Sequence, residues 1–572
     1  MRRGKYFVYL LTILFAMTAL FFWSGESRSD HGGPVFAVVD TFDDRETVAC
    51  WASESGDYYV FLPSYAVPEK TFLHPQWGTS VWIGEVPLDE DTQLAEFSLN
   101  VPYEMHYKTG GEAQHCRITF LQSANIPALH IELPAGGKEY IHAEKGNSQA
   151  GAYRIYSADG SKTDFGALAS IRGRGNATWL EYAPKPYSMT LSKPADLLGM
   201  GMAEDWILLA NAYDPTHLRN KLVYDFSEDF GLNCSPSSDW VDLYMNGEYM
   251  GLYLLCERNQ VHEERVTLEN QVGYLVSMDL EWRLEEKEDP YFVTDRGIAI
   301  RIHDQNLESD AVRRQIQSAE NAILSPTGVD AVSGKQWQEL IDQDSWVRKF
   351  LIEEIFGNAD GGRLSQFFYG DAQTEKLYAG PVWDYDISIG NPMTWRLAAV
   401  NALYAAKPNF LLSQDNSWFY HLYQNEAFYH AVVETYRKDF PGLSGKLDEM
   451  IRQYGQKISC AAHMNQIRWT TEDPVAATKW MSDYLHDRIA FLNSLWIDDE
   501  QYYTILVDFN DTANSACYMV QPGDTVPVLR EYEQYYGAQQ WCRVGTDEVF
   551  DIDQPIYENL SLYRKNSAEE GQ

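Results

Sequence analysis

Apolar and polar positions alternate in two different ways between residues 344 and 388. Over 345–356 apolar residues recur at helical spacing, which predicts an amphipathic helix from Ser345 to Phe356; they are Val347, Phe350, Leu351 and Ile355. Asp344 is the expected N-cap of this helix. Gly357 follows it, where a residue in the left-handed conformation often ends a helix.

Two strand-like runs follow, over 364–369 and 377–383, and a polar turn at 371–376 predicts that they form a hairpin. Asp360 lies in the loop before the hairpin, and Asp384 and Asp386 follow directly after its second run. In an extended chain residues i and i+2 point to one face, and a hairpin brings its two ends together. Clustered carboxylates repel each other unless a cation or a proton-transfer task offsets the cost. The alternative is a solvated turn with ordinary surface acids.

The pattern along the rest of the chain predicts an α+β protein. Short strand-like runs with Gly, Pro and Asp turns fill residues 31–122 and predict a small all-β domain, a sandwich in preference to a barrel; they are Phe36–Val39, Tyr58–Leu62, Thr79–Ile83, Ala95–Val101 and Cys116–Leu121. Strands mixed with helices follow, then a mostly helical stretch over 418–496, then β-structure over 500–566. We therefore expect an N-terminal segment at 1–29, an all-β domain at 30–122, a mixed domain at 123–498, a second β domain at 499–566 and a polar tail at 567–572.

The N-terminus combines positive charge with a long apolar run. Arg2, Arg3 and Lys5 precede the uncharged residues 6–23. This run is long enough to span a bilayer, so we expect a membrane anchor with the rest of the chain outside, by the positive-inside rule. A cleaved signal peptide is the alternative. Both place the protein at the cell surface or outside the cell.

Composition and cysteine content narrow the class. The 572 residues include 45 Lys and Arg against 83 Asp and Glu, a net charge of −38, which argues against a nucleic-acid partner. The seven cysteines show no zinc-binding spacing. Cys50 with Cys116 and Cys517 with Cys542 could form disulfides outside the cell, or all could be inert thiols. Walker A, HExxH, GxSxG and EF-hand motifs are absent from the sequence.

Basic residues stand in unusual contexts upstream. Arg172 and Arg174 alternate with glycines, so that the backbone could approach an anion while two guanidiniums bind it. A glycine-rich turn with two surface arginines is the alternative. Flanking prolines bias Lys185 to an extended geometry. Arg219 lies near the first turn of a predicted helix over 217–230, where positive charge opposes the helix dipole. It would answer either an anionic ligand or a nearby carboxylate. Glu257 ends a hairpin whose turn is Asn-Gly.

These segments occur in one order along the chain: 171–179 (IRGRGNATW), 185–187 (KPY), 208–214 (LLANAYD), 218–220 (LRN), 246–253 (NGEYMGLY) with Glu257, 357–360 (GNAD) and 382–386 (VWDYD). Together they resemble the CotH family, the spore-coat-protein-H-like kinases, over roughly residues 125–498. The resemblance implies an atypical protein-kinase-like fold, which the small all-β domains predicted from the strand pattern would flank. It also implies that ATP and Mg²⁺ or Mn²⁺ serve to phosphorylate Ser or Thr hydroxyls of a protein. The net charge of −38 favours a basic protein as that substrate.

The resemblance also assigns roles. Asp360 matches the catalytic-loop aspartate, and Asp384 with Asp386 matches the metal-binding Asp-x-Asp. Lys185 is expected on the nucleotide phosphates, together with Arg172, Arg174 and Glu257. Gln366 stands where the family often has a metal-binding Asn, and its extra methylene changes that ligand. Two other readings are open: a catalytically impaired pseudokinase that serves as a surface or spore-coat scaffold, and a glycan hydrolase that uses Asp360 and Asp384.

The C-terminal segment resembles a second module, the Listeria–Bacteroides-type surface repeat. The residues that carry this resemblance are 507–509 (VDF), 522–524 (PGD), Trp541 and 560–563 (LSLY). It implies a small β-grasp-like unit on the surface of a Gram-positive bacterium, without catalysis.

Overall fold

The computed structural model describes residues 36–40, 47–109, 111–263, 265–266, 273–287, 289–305, 309–371, 374–392, 399–510 and 515–565. Helices and several separate sheets occur together, so the predicted α+β class is confirmed. The predicted membrane anchor at residues 6–23 lies outside this described part. Within it, no helix is both long and apolar enough to cross a bilayer.

The N-terminal strands form two sheets. They are β1 Phe36–Asp40, β2 Thr47–Ala49, β3 Trp51–Ala52, β4 Tyr58–Leu62, β5 Thr71–Pro75, β6 Thr79–Ile83, β7 Val86–Pro87, β8 Pro102–Thr109 and β9 Glu112–Gln122. One sheet has the order β2-β1-β5 and the other β3-β4-β9-β8-β6-β7, and both contribute to one buried apolar cluster. The strand predicted over Ala95–Val101 is wrong, because Leu94–Glu96 forms a 3-10 turn instead; a second such turn is Pro68–Lys70.

A closed seven-stranded barrel follows. Its strands are β10 Ala128–Glu132, β11 Ser148–Tyr156, β12 Thr163–Gly173, β13 Tyr187–Asp196, β14 Met202–Leu209, β15 Ser238–Met245 and β16 Glu248–Glu257. Three helices lie between them: α1 Gly137–Ala143, α2 Ala177–Glu181 and α3 Arg219–Asp229. The predicted Asn-Gly hairpin joins β15 to β16, and both turn residues have positive φ (Asn246 49°, Gly247 79°), as a two-residue turn of this kind requires.

A five-stranded antiparallel sheet faces the barrel across a cleft. It contains β17 Gly273–Asp279, β18 Tyr291–Val293, β19 Ala299–Gln305, β20 Phe367–Asp371 and β21 Leu377–Ala379, in the order β18-β19-β17-β20-β21, and helix α4 Glu281–Lys287 follows β17. The predicted hairpin is therefore present as β20 and β21. Its second strand ends at Ala379, before the cis bond between Gly380 and Pro381, and not at Trp383 as predicted.

The remaining helices pack on this sheet, on the barrel and on one another. They are α5 Ser309–Leu324, α6 Trp337–Leu340, α7 Gln343–Phe356, α8 Trp418–Tyr423, α9 Glu426–Asp439, α10 Pro441–Trp469 and α11 Pro474–Trp496. Each of the seven helices contributes apolar side chains to the largest apolar cluster among the described residues. The long helical stretch predicted over 418–496 is thus confirmed as four helices.

Helix α7 differs from its prediction in two ways. Its N-cap is Asp342, whose side chain accepts the Ser345 N–H over 3.0 Å, so the prediction of Asp344 is wrong. Gly357 ends the helix with φ 57°, as predicted. The helix is also buried on nearly all sides, and not amphipathic, because its polar residues Lys349, Glu353 and Glu354 are neutralised inside the core.

The C-terminal sheet is shared with the preceding region. It has the order β22-β24-β23-β26-β25, with β22 Ala402–Leu403, β23 Tyr503–Asp508, β24 Ala516–Val520, β25 Gln540–Arg543 and β26 Leu560–Lys565. Helix α12, Pro527–Tyr536, packs on it and was missing from the predicted β-structure. Strand β22 comes from the loop before α8 and pairs with β24 through Ala402↔Tyr518 and Leu403↔Cys517.

Neither suggested disulfide is present. All seven cysteines lie in the described ranges, and none of them is disulfide-bonded. Cys517 on β24 and Cys542 on β25 are three strand positions apart, roughly 14 Å at the usual strand spacing, which no disulfide spans. Cys116 instead donates its thiol to the Met105 carbonyl over 3.7 Å.

Candidate active site

A cleft of about 650 Å³ separates the barrel from the five-stranded sheet. Residues of β12, β13 and β14 form one wall, and residues of β17, β19 and β20 form the other. Two loops contribute the acids predicted to act together: Asp360 from the loop after α7, and Asp384 and Asp386 from the segment after β21. The structure therefore brings the three predicted carboxylates to one cleft.

Asp360 is placed by the turn that follows Gly357. Its backbone N–H donates to Asn358 Oδ1 over 3.2 Å, and its carbonyl accepts the Arg363 N–H over 3.1 Å. Burial and the negative charge of Asp384 raise the pKa of the Asp360 carboxyl to about 6, while Lys407, Arg283 and Arg363 act in the opposite direction. A carboxyl with this pKa can accept a proton near neutral pH.

Asp384 and Asp386 reach the cleft by a route that differs from the prediction. They do not alternate along a strand, since the backbone at Asp384 is left-handed, with φ 69°. Such strained conformations of residues other than glycine concentrate at functional sites. Asp384 Oδ2 accepts the Ser365 hydroxyl over 2.9 Å, and the intervening Tyr385 is fully buried in the core. The Tyr385 side chain thus points into the core, and its two neighbours Asp384 and Asp386 line the cleft.

The start of α3 holds this segment from behind. Asn220 Oδ1 accepts the Tyr385 N–H over 2.8 Å, and Arg219 Nε donates to the Ser388 carbonyl over 2.8 Å. Arg219 also forms a buried ion pair with Asp214. Of the two explanations open for Arg219, the nearby carboxylate is the one that the structure supports.

The three acids need a positive counterpart. Burial and the charges of Asp384, Asp214 and Asp360 raise the pKa of Asp386 well above its usual range. No group of three or more His, Cys, Asp or Glu side chains in the described residues is arranged to hold a metal ion. Mg²⁺, however, is commonly bound through one or two carboxylates together with substrate phosphates and waters. The pair Asp384 and Asp386 fits that donor set.

Gln366 directly follows Ser365, whose hydroxyl donates to Asp384, and its side chain is fully buried. Its Nε2 donates to the Leu364 carbonyl over 3.1 Å, and its Oε1 has no hydrogen-bond partner among the described residues. An unpaired buried carbonyl oxygen is costly and is the kind of oxygen that a divalent cation accepts as a ligand. The cleft as described is lined by its neighbours Ser365 and Phe367, and not by Gln366 itself.

Arg172 and Arg174 both line the cleft, on the barrel wall. Arg172 is exposed, whereas the Arg174 guanidinium lies 5.3 Å from the centre of the Trp383 ring, close to the charges of Asp384 and Asp386. The glycines between them serve local packing. A Cβ at Gly173 would be 2.3 Å from the Trp179 ring, and Gly175 has φ 82°. The arginines therefore remain candidates for anion binding, and the glycines are explained without a ligand.

Lys185 and Glu257 lie outside the cleft formed by the described residues. The Lys185 ammonium donates to the Trp179 carbonyl and lies 5.5 Å from the Trp179 ring centre. Glu257 is buried, accepts the Ser237 N–H over 2.7 Å and lies 3.7 Å from Arg265. The structure thus does not bring these two expected nucleotide-binding residues to the three carboxylates.

The cleft is also lined by cationic side chains that the sequence motifs did not indicate. They are Arg258, Arg283 and Arg301, each beside an acid on the sheet wall or the barrel wall, and Lys145. The Arg301 Nε is buried and has no hydrogen-bond partner among the described residues. Lys407, buried beside Asp360, was also missed. The one signal for it in the sequence is a charged residue that ends the apolar run 402–406.

Comparison with known proteins gives one family. The model of the family described as CotH kinase protein matches residues 171–492, more than half of the chain. The matched range contains the three carboxylates, Arg172 and Arg174, and most of both walls of the cleft. A search of curated proteins found no significant match.

Proposed function

Because the chain belongs to the CotH kinase protein family, we propose that it transfers the γ-phosphate of ATP to a hydroxyl group of a protein. The observation that carries this proposal is the composition of the cleft. Three carboxylates from two loops face a wall that bears Arg172, Arg174 and further guanidiniums. Phosphoryl transfer needs in-line positioning and positive charge around the transferred group more than it needs covalent chemistry from the protein.

The proposed step assigns a role to Asp360. The hydroxyl oxygen of the substrate attacks the γ-phosphorus, the bond from that phosphorus to the β,γ-bridging oxygen breaks, and ADP leaves with the bonding electrons. Asp360 accepts the hydroxyl proton, for which its raised pKa, about 6, is suitable. The products are ADP and a phosphorylated side chain.

Asp384 and Asp386 are the proposed holders of Mg²⁺ or Mn²⁺, and Gln366 is left out because it is not among the described residues that line the cleft. When bound, a divalent cation neutralises charge on the β- and γ-phosphate oxygens. Arg174, which lies next to these acids, and Arg172 at the rim are proposed to contact phosphate oxygens. Lys185 and Glu257 are left out of this scheme, because neither is among the described residues that line the cleft.

The finer parts of the proposal concern the setting of the reaction. We propose an atypical kinase-like fold for the barrel, the five-stranded sheet and the helices, and Ser or Thr as the acceptor. The strongly acidic chain, with net charge −38, would favour a basic protein substrate. A location at the cell surface, with residues 6–23 as the anchor, and a C-terminal surface repeat complete the proposal.

A second candidate is a scaffold that has lost catalysis. The position of Lys185 favours it, since the lysine expected on the nucleotide phosphates is bound to the Trp179 carbonyl instead. In that case the cleft would persist without productive nucleotide binding. The two candidates differ in their response to ATP and metal.

Thermal unfolding of the purified full chain separates the candidates. A kinase is expected to be stabilised by ATP with Mg²⁺, by about 2.7 kcal/mol when the ligand is at 100 times its dissociation constant. Asp384→Ala should abolish the metal-dependent part of that shift, whereas Asp498→Ala, a substitution in the exposed linker after α11, should not. No shift at saturating nucleotide would favour the scaffold.

A further inference from the structure

Lys407 is a buried cation that the proposed chemistry has not yet used. It is 3% exposed, and its ammonium donates to the Ala359 carbonyl over 2.7 Å. Burying a lysine away from water is costly unless an acceptor and a negative charge compensate it. Burial lowers the pKa of Lys407 to about 8, and the charge of Asp360 is the first influence that opposes this effect.

The contact places Lys407 directly behind Asp360. Ala359 is the residue before Asp360, so the hydrogen bond fixes the peptide that carries the catalytic carboxylate. The electrostatic influence is mutual, since Lys407 is the first of the cations that lower the pKa of Asp360. The other charged groups around Lys407 are Glu354, Arg363 and Glu353, and those around Asp360 are Asp384, Asp386, Arg283 and Arg363.

A rigid support delivers Lys407 to this position from the core. Glu354 on α7 accepts the backbone N–H groups of the three residues before Lys407: Tyr404 over 2.9 Å, Ala405 over 2.8 Å and Ala406 over 3.0 Å. Arg488 on α11 pairs with Glu354 over 3.0 Å and also donates to the Ala402 carbonyl. A charge buried in this way is held by hydrogen bonds on every side.

The C-terminal sheet supports the same segment from the other side. Strand β22, which precedes Lys407, is the edge strand paired with β24. Asn401 adds two bonds, since its carbonyl accepts the Met519 N–H over 2.9 Å and its Nδ2 donates to the Met519 carbonyl over 2.7 Å. Residues 401–406 are thus hydrogen-bonded to α7 on one side and to the C-terminal sheet on the other, and Lys407 follows directly after them.

We propose that Lys407 is a positioning residue for Asp360: its ammonium fixes the Ala359 peptide and supplies the positive charge that keeps the Asp360 carboxylate ionised and directed at the substrate hydroxyl. The inference rests on the proposed function, because it gives Lys407 a role only if Asp360 accepts a proton. It also gives the C-terminal sheet a part in catalysis, through the strand that it shares with the segment of Lys407.

The test compares Lys407→Met, which removes the charge at similar length, with Lys407→Arg, which keeps it. Lys457→Met is the matched control. The Lys457 ammonium pairs with Asp239 at 2.6 Å, and Lys457 is not among the described residues that line the cleft. Steady-state phosphate transfer is measured against pH and ATP concentration in the full chain, with Mg²⁺. Lys407→Gln, which keeps an N–H donor, replaces Lys407→Met if circular dichroism shows that the latter is unfolded.

The expected result for Lys407→Met is a fall in kcat of roughly tenfold or more with the KM for ATP nearly unchanged. The acid limb of its pH profile should move upward by roughly one unit, because Asp360 loses a neighbouring cation. Lys407→Arg should recover most of kcat and restore the acid limb.

Two results would overturn the positioning role while the proposed function stands: wild-type kinetics in Lys407→Met, or a loss of activity with an unmoved acid limb, which a purely structural role predicts. A wild-type protein that transfers no phosphate would instead overturn the proposed function, and the positioning role with it.

Discussion

Tyr385, which lies between the cleft acids Asp384 and Asp386, donates its hydroxyl to Glu353 Oε1 over 2.7 Å inside the core. The Lys349 ammonium completes this cluster, 3.0 Å from the Tyr385 oxygen and paired with Glu353. All three side chains are buried. Asp384 and Asp386 are the chain neighbours of Tyr385. The hydrogen bond from Tyr385 to Glu353 of helix α7 therefore fixes the backbone from which both carboxylates face the cleft.

Tyr385→Phe is therefore expected to affect stability and activity together. Removal of the hydroxyl leaves Glu353 and Lys349 one partner short, at a cost of about 1–3 kcal/mol in the free energy of unfolding. Urea denaturation measures the loss, and kcat should fall because the two acids are less firmly held. Tyr557→Phe is the control, since Tyr557 is 67% exposed. Equal stability of Tyr385→Phe and the wild type would show that the cluster does not hold the loop.

The ion pair between Glu354 and Arg488 is expected to be essential for folding stability. Both side chains are fully buried and 3.0 Å apart, so Glu354→Gln leaves the Arg488 charge without its partner. Breaking such a pair costs about 3–5 kcal/mol. Thermal or urea unfolding should show this loss for Glu354→Gln but not for Glu426→Gln, whose side chain is 90% exposed. A loss below about 1 kcal/mol, the range of surface pairs, would contradict this account.

Asp242 predicts how stability depends on pH. It is fully buried on β15, where Tyr249 donates a hydroxyl to its Oδ1 over 3.1 Å, and burial raises its pKa to about 7. In the unfolded chain the pKa is near 3.9. Between these values the folded protein holds a proton that the unfolded chain has lost, so this contribution to stability is full below about pH 4 and is lost as the pH rises through about 7.

Asp242→Asn should remove that dependence. We expect the variant to match the wild type at about pH 4 and to exceed it at about pH 8, by an amount on the order of a few kcal/mol, since one pKa unit corresponds to about 1.4 kcal/mol. Urea unfolding across this pH range is the measurement, and Asp91→Asn, at an exposed turn, is the control. A difference between variant and wild type that is the same at both pH values would refute the assignment.

Arg174 is expected to act on nucleotide affinity. Its guanidinium lies over Trp383 and next to Asp384, on the wall where the phosphates are proposed to bind. Arg174→Met should raise the KM for ATP by roughly tenfold or more, because a charged hydrogen bond contributes about 1.5–3 kcal/mol. Arg452→Met, on the exposed face of α10, should leave it unchanged. An unaltered KM in Arg174→Met would place the phosphates elsewhere.

The sequence predicted the local elements around the site well. The helical period of 345–356, the left-handed Gly357 and the hairpin that follows are set by neighbouring residues, and all three are present. The order loop, hairpin and Asp-x-Asp was enough to predict that Asp360 meets Asp384 and Asp386 in one cleft. Such features depend on short stretches of chain, and periodicity and turn chemistry report on them directly.

Contacts between distant segments could not be predicted in this way. Helix α7 was expected to have a solvated face, but Lys349 and Glu353 form an ion pair in the core and Glu354 pairs with Arg488. The Tyr385 hydroxyl bonds to both members of the first pair, and Tyr385 and Arg488 lie far along the chain. Lys185 lay in a suggestive motif, yet its ammonium binds the Trp179 carbonyl. Lys407 reaches Asp360 only because Glu354 and the C-terminal sheet hold its segment. Tertiary packing decided each of these positions.

The central claim is that Asp360 accepts a proton during phosphate transfer. Intact-mass spectrometry of the full chain with ATP and Mg²⁺, with hydroxyl groups of the chain itself as the acceptors, tests this claim most directly. The account predicts phosphate incorporation by the wild type, and equally by Asp344→Asn, whose side chain is 66% exposed on α7. It predicts a loss of at least roughly a hundredfold in the rate for Asp360→Asn, the scale of general-base catalysis. Incorporation by Asp360→Asn at the wild-type rate would contradict it.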